Sequence, residues 1–271
     1  MNGPNPLRVA WSIARATRSR RPAPQGTGTV DHAGFRPILD ALAKNGAAAL
    51  CHVRPDLDTY RGSLETIDPD TLGRDEALAF WLNLYNAAGL ELAAEASAQG
   101  QETVLRIPGA FDRPVVTIAG EHLSLTDVEH GKIRRFHDPR IHAALVCGSV
   151  SCPTLRYEPF EGVYVDRQLD QQLRYLLQAG GAVADRDRNE LRLSRVLLWY
   201  GGDFLRPQRM PTWIPAPRKA LVKSLLPWLA DDVGGWVETS KPKVRFKSYD
   251  WSLGCAITRD RQRLGSADQA V

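Results

Sequence analysis

The 271-residue sequence predicts an α+β fold, a mainly helical single domain around a small β-sheet. Hydrophobic residues make up 43% of the chain and charged residues 24%, a balance typical of a globular protein. Residues 77–92, with the sequence ALAFWLNLYNAAGLEL, are apolar on every side, which predicts a helix packed in the middle of the domain. Only a few short segments, of which residues 141–147 are the most apolar, have the length and flanking residues of strands.

The remaining predicted elements depend on periodicity and on capping residues. Residues 22–29 are rich in Pro and Gly, which indicates a linker before the domain. Ser124 and Asp127 have the spacing of a capping box and predict the start of a helix that runs to about residue 136. The domain is expected to span residues 31–258. Its further predicted elements are helices at 35–50, 163–177 and 217–229, a helical turn at 196–204, and strands at 191–193 and 244–250.

The two ends of the chain are predicted to be tails. Five of the 35 Lys and Arg residues, but none of the 31 Asp and Glu residues, lie within residues 1–30. This segment is expected to be a basic flexible tail, and residues 259–271 a polar C-terminal tail. Because the basic tail contains Trp11 and Ile13, weak contact with a membrane surface is one expectation for it.

The composition also excludes several classes of protein. The main domain lacks the basic excess of a nucleic-acid-binding protein, because the charge excess belongs to the tail. The tail lacks the apolar run of a secretory signal peptide, and no window is long and apolar enough to span a membrane, so a cytoplasmic location is expected. The glycine-rich phosphate-binding motifs are absent, and no cofactor is expected.

Two side-chain amides lie inside the apolar helix. Asn83 and Asn86 are three residues apart and therefore share one face, and Tyr85 directly precedes Asn86. Buried amides need hydrogen-bond partners. They either pin a neighbouring loop through backbone hydrogen bonds or contact a ligand, and the sequence leaves both roles open.

An acidic residue interrupts the apolar face of the helix predicted after Ser124. At 100° per residue, Glu129 falls in the middle of the apolar stripe and His130 flanks it. A carboxylate in this position is costly unless cations or several donors meet it, so Glu129 is expected in a buried ion pair or beside a site. Arg134 and Arg135 point elsewhere and are expected to be solvated charges at the helix end.

Cys147 and Cys152 form the densest cluster of reactive residue types. Residues 141–147 are predicted to be a central strand that ends at Cys147, where a Gly-Ser loop begins. A thiol at a strand end is fixed by the backbone yet can face an open cleft, as a nucleophile requires. His142 points to the opposite strand face from Cys147, so His130 is the better-placed base.

Three roles besides that of a nucleophile stay open for these cysteines. Cysteine is often a small buried hydrophobe. Cys147 and Cys152 with His130 and His142 could ligate a metal, although the C-x4-C spacing is wide for zinc. A disulfide or redox pair is the third role. Cys51 and Cys255 stand alone in the sequence.

Aromatic residues accompany a single acid in two places. Trp199 and Tyr200 precede Asp203, and residues 249–253 read YDWSL around Asp250. These aromatics either pack in the core or form a cleft wall in which an acid holds an arginine such as Arg140.

These motifs, in this order, resemble the DUF547 family, named for a domain of unknown function. The similarity covers about residues 35–255. The matching segments are 80–87, 123–125, 128–130, 138–142, 147–153, 169–170, 199–200, 203–204 and 249–253. The resemblance implies a domain identity and a set of site positions but no reaction. The implied positions are Asn83, Tyr85, Asn86, Glu129, His130, Arg140, His142, Cys147 and Cys152.

The combined prediction is a thiol-dependent enzyme of acyl transfer or amide hydrolysis. Cys147 is predicted to be the nucleophile, His130 the general base and Glu129 its orienting partner, with the N–H groups after Cys147 as oxyanion donors. The alternatives are a noncatalytic module that binds a small molecule or peptide, and a zinc site. The predicted binding residues are Asn83, Tyr85, Asn86, Arg140, His142, Ser149 and Cys152.

Overall fold

The computed structural model describes residues 6–18 and 22–254, which form a mainly helical α+β structure, as predicted. The helices are α1 (Pro6–Arg18), α2 (Arg36–Asn45), α3 (Arg54–Glu65), α4 (Arg74–Ala98), α5 (Val165–Leu176), α6 (Arg195–Leu205), α7 (Arg218–Leu225) and α8 (Asp231–Ser240). The strands are β1 (Pro114–Ile118), β2 (Glu121–Ser124), β3 (Ala182–Asp185), β4 (Glu190–Leu193) and β5 (Lys243–Phe246). Within these ranges, no helix is long and apolar enough to span a membrane.

Helix α4 is the centre of the larger hydrophobic core, as its apolar sequence predicts. Every residue from Ala77 to Leu90 is buried, because α3, α5 and the segment around residues 127–133 pack against different sides of the helix. Gly89 is required by this packing. A Cβ atom at this position would lie 2.4 Å from the carbonyl oxygen of Val146, so only glycine lets the backbone at Val146 pack this close to α4.

The sheets are small, and β4 contributes Leu191 and Leu193 to a second, smaller hydrophobic core. Strands β1 and β2 form an antiparallel hairpin. Strand β4 pairs with β3 in antiparallel and with β5 in parallel orientation. The strands predicted at 191–193 and 244–250 correspond to β4 and to β5, which is shorter than expected. The hairpin and helices α3 and α8 were not anticipated by the sequence patterns.

The central strand predicted at 141–147 is absent. The segment Pro139–Ala143 is a 3-10 helix, and Leu145 and Val146 are buried without belonging to either sheet. The backbone groups here are satisfied by side-chain amides instead. Asn86 Nδ2 donates to the Ala144 carbonyl at 3.0 Å, and the Val146 N–H donates to Asn86 Oδ1 at 3.0 Å. The apolar sequence predicted the burial of this segment correctly. The backbone hydrogen bonds that a neighbouring strand would have made are made by the Asn86 side chain.

The N-terminal segment differs from the expected flexible tail over residues 6–18. These residues form α1, which packs on the segment that carries Glu129 and His130. Ser12 and Ala16 are buried in this contact, and a Cβ on Gly131 would lie 2.8 Å from the Ala16 carbonyl oxygen. The helix is amphipathic, and burial of its inner face outweighs the tendency of a chain end to fray. Arg20, Arg21 and Cys255 lie outside the described residues.

Candidate functional site

A cavity of about 670 Å³ collects most of the predicted reactive residues. Its polar wall contains Tyr85, Glu129, His130, His142, Cys147 and Cys152. Its aromatic wall contains Trp199, Tyr200, Tyr249 and Trp251, and α1 contributes Arg8, Val9, Ser12 and Ile13. The fold therefore brings together side chains from both ends of the chain and from the buried helix α4.

A π-helical segment, Asp127–Ile133, carries Glu129 and His130. It begins with the predicted capping box: the Ser124 N–H donates to Asp127 Oδ2 at 3.0 Å, and the Asp127 N–H donates to Ser124 Oγ at 3.1 Å. The wider winding differs from the regular helix that was expected. Because the Arg134 N–H donates to the Glu129 carbonyl five residues earlier, these two residues lie above one another.

Glu129 is buried and ionised among several partners. Its Oε2 atom accepts a hydrogen bond from the Tyr85 hydroxyl at 3.2 Å, and the Tyr200 hydroxyl is a second donor. Burial alone would raise the pKa of Glu129, but His130, His142 and Arg134 outweigh it and lower the pKa. The expectation that Glu129 sits beside cations and donors is therefore correct.

Arg134 is buried, contrary to the expectation of a solvated charge. Its Nη2 donates to Asp203 Oδ2 at 2.5 Å, and its guanidinium carbon lies 5.4 Å from the ring centroid of Tyr200. Arg135 is also buried and donates to Asp70 at 3.4 Å. The regular helical wheel misplaced both residues because the π-helical winding and the 3-10 turn that follows rotate them inward.

His130 is held in its neutral form. Arg134 Nη1 donates to His130 Nδ1 at 3.0 Å, so Nδ1 is an acceptor and the ring proton lies on Nε2. Burial lowers the pKa of His130 to about 4, although the carboxylate of Glu129 opposes this effect. An imidazole of this kind donates a hydrogen bond and accepts a proton poorly.

His142 has the opposite arrangement. Its Nε2–H donates to Asp203 Oδ2 at 2.8 Å, which leaves Nδ1 as an acceptor. This Nδ1 atom is buried and has no hydrogen-bond partner among the described residues. The ring stacks on Tyr200 with centroids 3.9 Å apart and planes 10° from parallel. Burial lowers the pKa of His142, whereas the hydrogen bond to Asp203 opposes that effect.

Asp203 joins the two basic residues. Burial raises its pKa, but His142 and Arg134 outweigh burial and hold the pKa of this carboxyl well below its usual range. Its second oxygen accepts the Thr212 N–H at 2.7 Å. The sequence identified Asp203 as an acid that holds an arginine, but the partner is Arg134 and not Arg140.

The two thiols are in contact at the cavity wall. The sulfur atoms of Cys147 and Cys152 are 2.7 Å apart, and both cysteines are free. The Cys147 N–H donates to Cys152 Sγ at 3.1 Å, and the hydroxyls of Ser149 and Tyr249 lie 3.2 and 3.4 Å from the same sulfur. Burial raises the pKa of Cys152, but the hydrogen bond from the Cys147 thiol, followed by those from the Ser149 and Tyr249 hydroxyls, lowers it to about 6. The hydrogen bond between the thiols raises the pKa of Cys147.

The loop after Cys147 depends on glycine. Gly148 has a φ of +80°, and a Cβ there would lie 2.8 Å from the Ala93 Cβ. The Gly254 N–H donates to the Gly148 carbonyl at 3.0 Å, which ties the loop to the C-terminal segment. In the described part of the chain, the N–H groups of Gly148 and Ser149 donate to no backbone carbonyl.

Four predicted positions, Asn83, Asn86, Arg140 and Ser149, do not line the cavity, although the Ser149 hydroxyl contacts both sulfur atoms. Asn83 donates to the Phe160 carbonyl at 2.8 Å and accepts the Phe160 N–H at 2.9 Å. Asn86 pins the chain before Cys147, so both amides have the loop-pinning role. Arg140 pairs with Asp138 and Asp166, which tie it to α5. Tyr249 was expected only as a core or cleft-wall aromatic and Arg134 as a solvated charge, because their actual contacts depend on chain segments that are distant in sequence.

The donors do not form an evident metal centre. Within residues 6–18 and 22–254, no three or more His, Cys, Asp and Glu residues are grouped so that they could hold a metal ion. The zinc alternative therefore gains no support from the geometry around Cys147 and Cys152.

Comparison with known families agrees with the predicted resemblance. The model of the family described as "Protein of unknown function, DUF547" matches residues 69–177, which include both cysteines, Glu129 and His130. No match was found among curated proteins or solved structures. Asp203 and Tyr249 lie outside the matched segment.

Proposed function

Because residues 69–177 match the DUF547 family, whose description names no activity, we propose a reaction from the site itself. We propose that the cavity is the active site of a thiol-dependent enzyme of acyl transfer or amide hydrolysis. The observation that carries this proposal is the convergence of the Cys147 N–H and the hydrogen-bonded Ser149–Tyr249 hydroxyl pair on the Cys152 sulfur, at the wall of a 670 Å³ cavity that also contains two imidazoles.

Cys152, rather than Cys147, is the proposed nucleophile. A pKa of about 6 makes Cys152 mainly a thiolate at neutral pH, and the Cys147 N–H and the two hydroxyls stabilise that charge. Cys147 acts as a donor to the thiolate, because its own pKa is raised. The sequence pattern predicted Cys147 as the nucleophile, whereas the hydrogen bonds in the structure favour the neighbouring sulfur of Cys152.

His142 and Asp203 are the proposed base and orienting acid. The hydrogen bond to Asp203 fixes the His142 ring with Nδ1 as the proton acceptor, and both imidazole rings line the cavity that contains the thiols. His130 was predicted to be the base, but Arg134 occupies its acceptor atom. We assign His130 the role of a neutral hydrogen-bond donor to the substrate oxygen. Glu129 accepts a hydrogen bond from the Tyr85 hydroxyl and so orders the side chains around His130.

The proposed reaction has two steps. The Cys152 thiolate attacks the substrate carbonyl, an S–C bond forms, and the C–N or C–O bond breaks as the leaving group takes a proton from solvent water; the proton that His142 accepts in the second step returns to solvent. In the second step, His142 accepts a proton from water or from an acceptor nucleophile, which attacks the thioester and releases the acyl group and the thiolate. The N–H groups of Gly148 and Ser149 are the candidate oxyanion donors.

The first test compares the alkylation of cysteines within one molecule. Iodoacetamide labelling is followed by peptide mass spectrometry across pH, with the exposed Cys51 as an internal reference. We expect the Cys152 rate to titrate with a midpoint near pH 6 and to exceed the Cys51 rate at neutral pH. Equal reactivity of the two cysteines would refute the proposed nucleophile.

The second test uses p-nitrophenyl acetate as an activated acyl donor. The native protein should acetylate Cys152 and turn over. His142→Gln should still acetylate but should accumulate the acetyl-enzyme, with hydrolysis slowed by roughly 10²–10⁴-fold. Cys152→Ser should abolish both steps. If His142→Gln and native protein hydrolyse the acetyl-enzyme equally fast, His142 is not the base.

The aromatic wall favours a second candidate function, a noncatalytic binding module. Trp199, Tyr249 and Trp251 are in mutual ring contact, with centroids 4.5 to 5.9 Å apart, and Trp199 is 46% exposed. Such a surface suits a small molecule or a peptide. Under this alternative, Cys152→Ser would retain full ligand affinity, and neither thiol would turn over an acyl donor.

A further inference from the structure

Helix α1 has two faces with different environments. On its inner face, Ser12 and Ala16 are buried against the π-helical segment, and Val9 and Ile13 line the cavity. On its outer face, the side chains of Leu7 and Trp11 are 82% and 64% exposed. These two residues are four apart and therefore project from adjacent turns. A large apolar pair exposed on one helix face indicates a function beyond the packing of this chain.

The ionisable side chains of α1 itself are all positive. Arg8, Arg15 and Arg18 belong to α1, and the first 30 residues contain no acid. Arg8 and Arg15 reach acids of the domain, Asp112 at 3.1 Å and Asp127 at 2.9 Å, which anchors α1 to the body. The Arg15 guanidinium carbon lies 6.0 Å from the Trp11 ring centroid, so the positive charge borders the exposed aromatic.

We propose that the outer face of α1 docks the protein on the surface of an anionic phospholipid bilayer. Trp11 and Leu7 enter the boundary between headgroups and acyl chains, and Arg18 contacts the anionic headgroups, because Arg8 and Arg15 are already paired with Asp112 and Asp127. The apolar pair favours this occupant over a nucleic acid, because a polyphosphate backbone offers no apolar phase for Leu7. The proposal does not depend on the acyl-transfer function.

Docking would also place the cavity beside the bilayer. The same helix lines the cavity through Val9, Ser12 and Ile13, and the half-exposed Trp199 lines it as well. When the outer face of α1 binds a bilayer, the cavity wall that α1 forms therefore lies next to the membrane.

The test measures co-sedimentation of the full chain with phospholipid vesicles. Vesicles of pure phosphatidylcholine are compared with vesicles that contain phosphatidylglycerol. We expect binding to the anionic vesicles only, and a decrease as salt rises from about 0.05 M to about 0.5 M. The double variant Leu7→Ser, Trp11→Ser should lower the partition coefficient about tenfold or more.

The matched control is Trp213→Ser, Ile214→Ser. Both side chains are 57% exposed and lie outside α1, so this variant removes a similar apolar pair from another surface. It should bind like the native protein. Equal loss in both variants, absence of binding to anionic vesicles, or equal binding to neutral vesicles would overturn the proposal.

Discussion

Asn86→Ala should both destabilise the protein and disturb the thiol pair. The Asn86 amide donates to the Ala144 carbonyl and accepts the Val146 N–H, each at 3.0 Å, and the side chain is buried. The variant leaves one buried carbonyl and one buried N–H without partners. These are the hydrogen bonds that hold the chain immediately before Cys147.

The magnitude follows from the two groups that lose their partner. Each buried backbone group left unsatisfied costs roughly 1–3 kcal/mol, so the expected loss of unfolding free energy is about 2–6 kcal/mol. Because the chain before Cys147 is no longer pinned, the Cys147 N–H should no longer be held toward Cys152 Sγ. The pKa of Cys152 should then rise, and its alkylation near neutral pH should slow.

Asn83→Ala is the matched control for this prediction. Asn83 makes the same pair of hydrogen bonds, at 2.8 and 2.9 Å, but to Phe160. Urea unfolding should show a similar loss of stability in both variants, whereas only Asn86→Ala should slow the alkylation of Cys152. A loss below about 1 kcal/mol for Asn86→Ala, or equal alkylation rates in the two variants, would refute the pinning role.

Two further predictions concern the loop glycine and a buried histidine. Gly148→Ala places a Cβ 2.8 Å from the Ala93 Cβ at a φ of +80°. The control is Gly46→Ala, where φ is +61° and no atom lies within 4 Å of the added Cβ. Urea unfolding should show a larger loss of stability for Gly148→Ala than for Gly46→Ala. Equal losses would show that the contact is relieved without cost. Burial lowers the pKa of His32 to about 4. Between about pH 6.5 and 4, the folded state therefore binds fewer protons than the unfolded state. The free energy of unfolding should fall as the pH decreases through that range. From pH 7 to 5 this histidine should account for a loss of roughly 2 kcal/mol in the free energy of unfolding. His32→Gln should remove that part of the pH dependence. An unchanged pH dependence in the variant would contradict the prediction.

Local patterns predicted the features that depend on neighbouring residues. The apolar sequence of residues 77–92 leaves no polar face to present to water, so a central helix was its main stable arrangement. The capping box formed because Ser124 and Asp127 are close enough to bond each other in any fold. Glu129, a carboxylate within an apolar stripe, correctly indicated a cluster of cations and donors.

Predictions that needed the position of distant segments were less successful. The apolar run at 141–147 has the composition of a central strand, but Asn86 supplies the hydrogen bonds that a neighbouring strand would have supplied. The helical wheel pointed Arg134 toward water because it assumed regular winding, and the π-helical turn places it against Asp203.

The fold class, the family resemblance and most of the polar residues that line the cavity could be predicted from residue order. Burial and capping are properties of short stretches of chain, and a pattern of residue types is enough to indicate them. Long-range packing was needed to establish which sulfur is stabilised as a thiolate and which imidazole keeps an open acceptor atom. Those properties depend on the Tyr249 hydroxyl, about 100 residues from the cysteines, and on Asp203, which lies 61 residues after His142. Such contacts arise only when the chain has folded, because nothing in the local sequence specifies which distant donor or acceptor will meet a given atom.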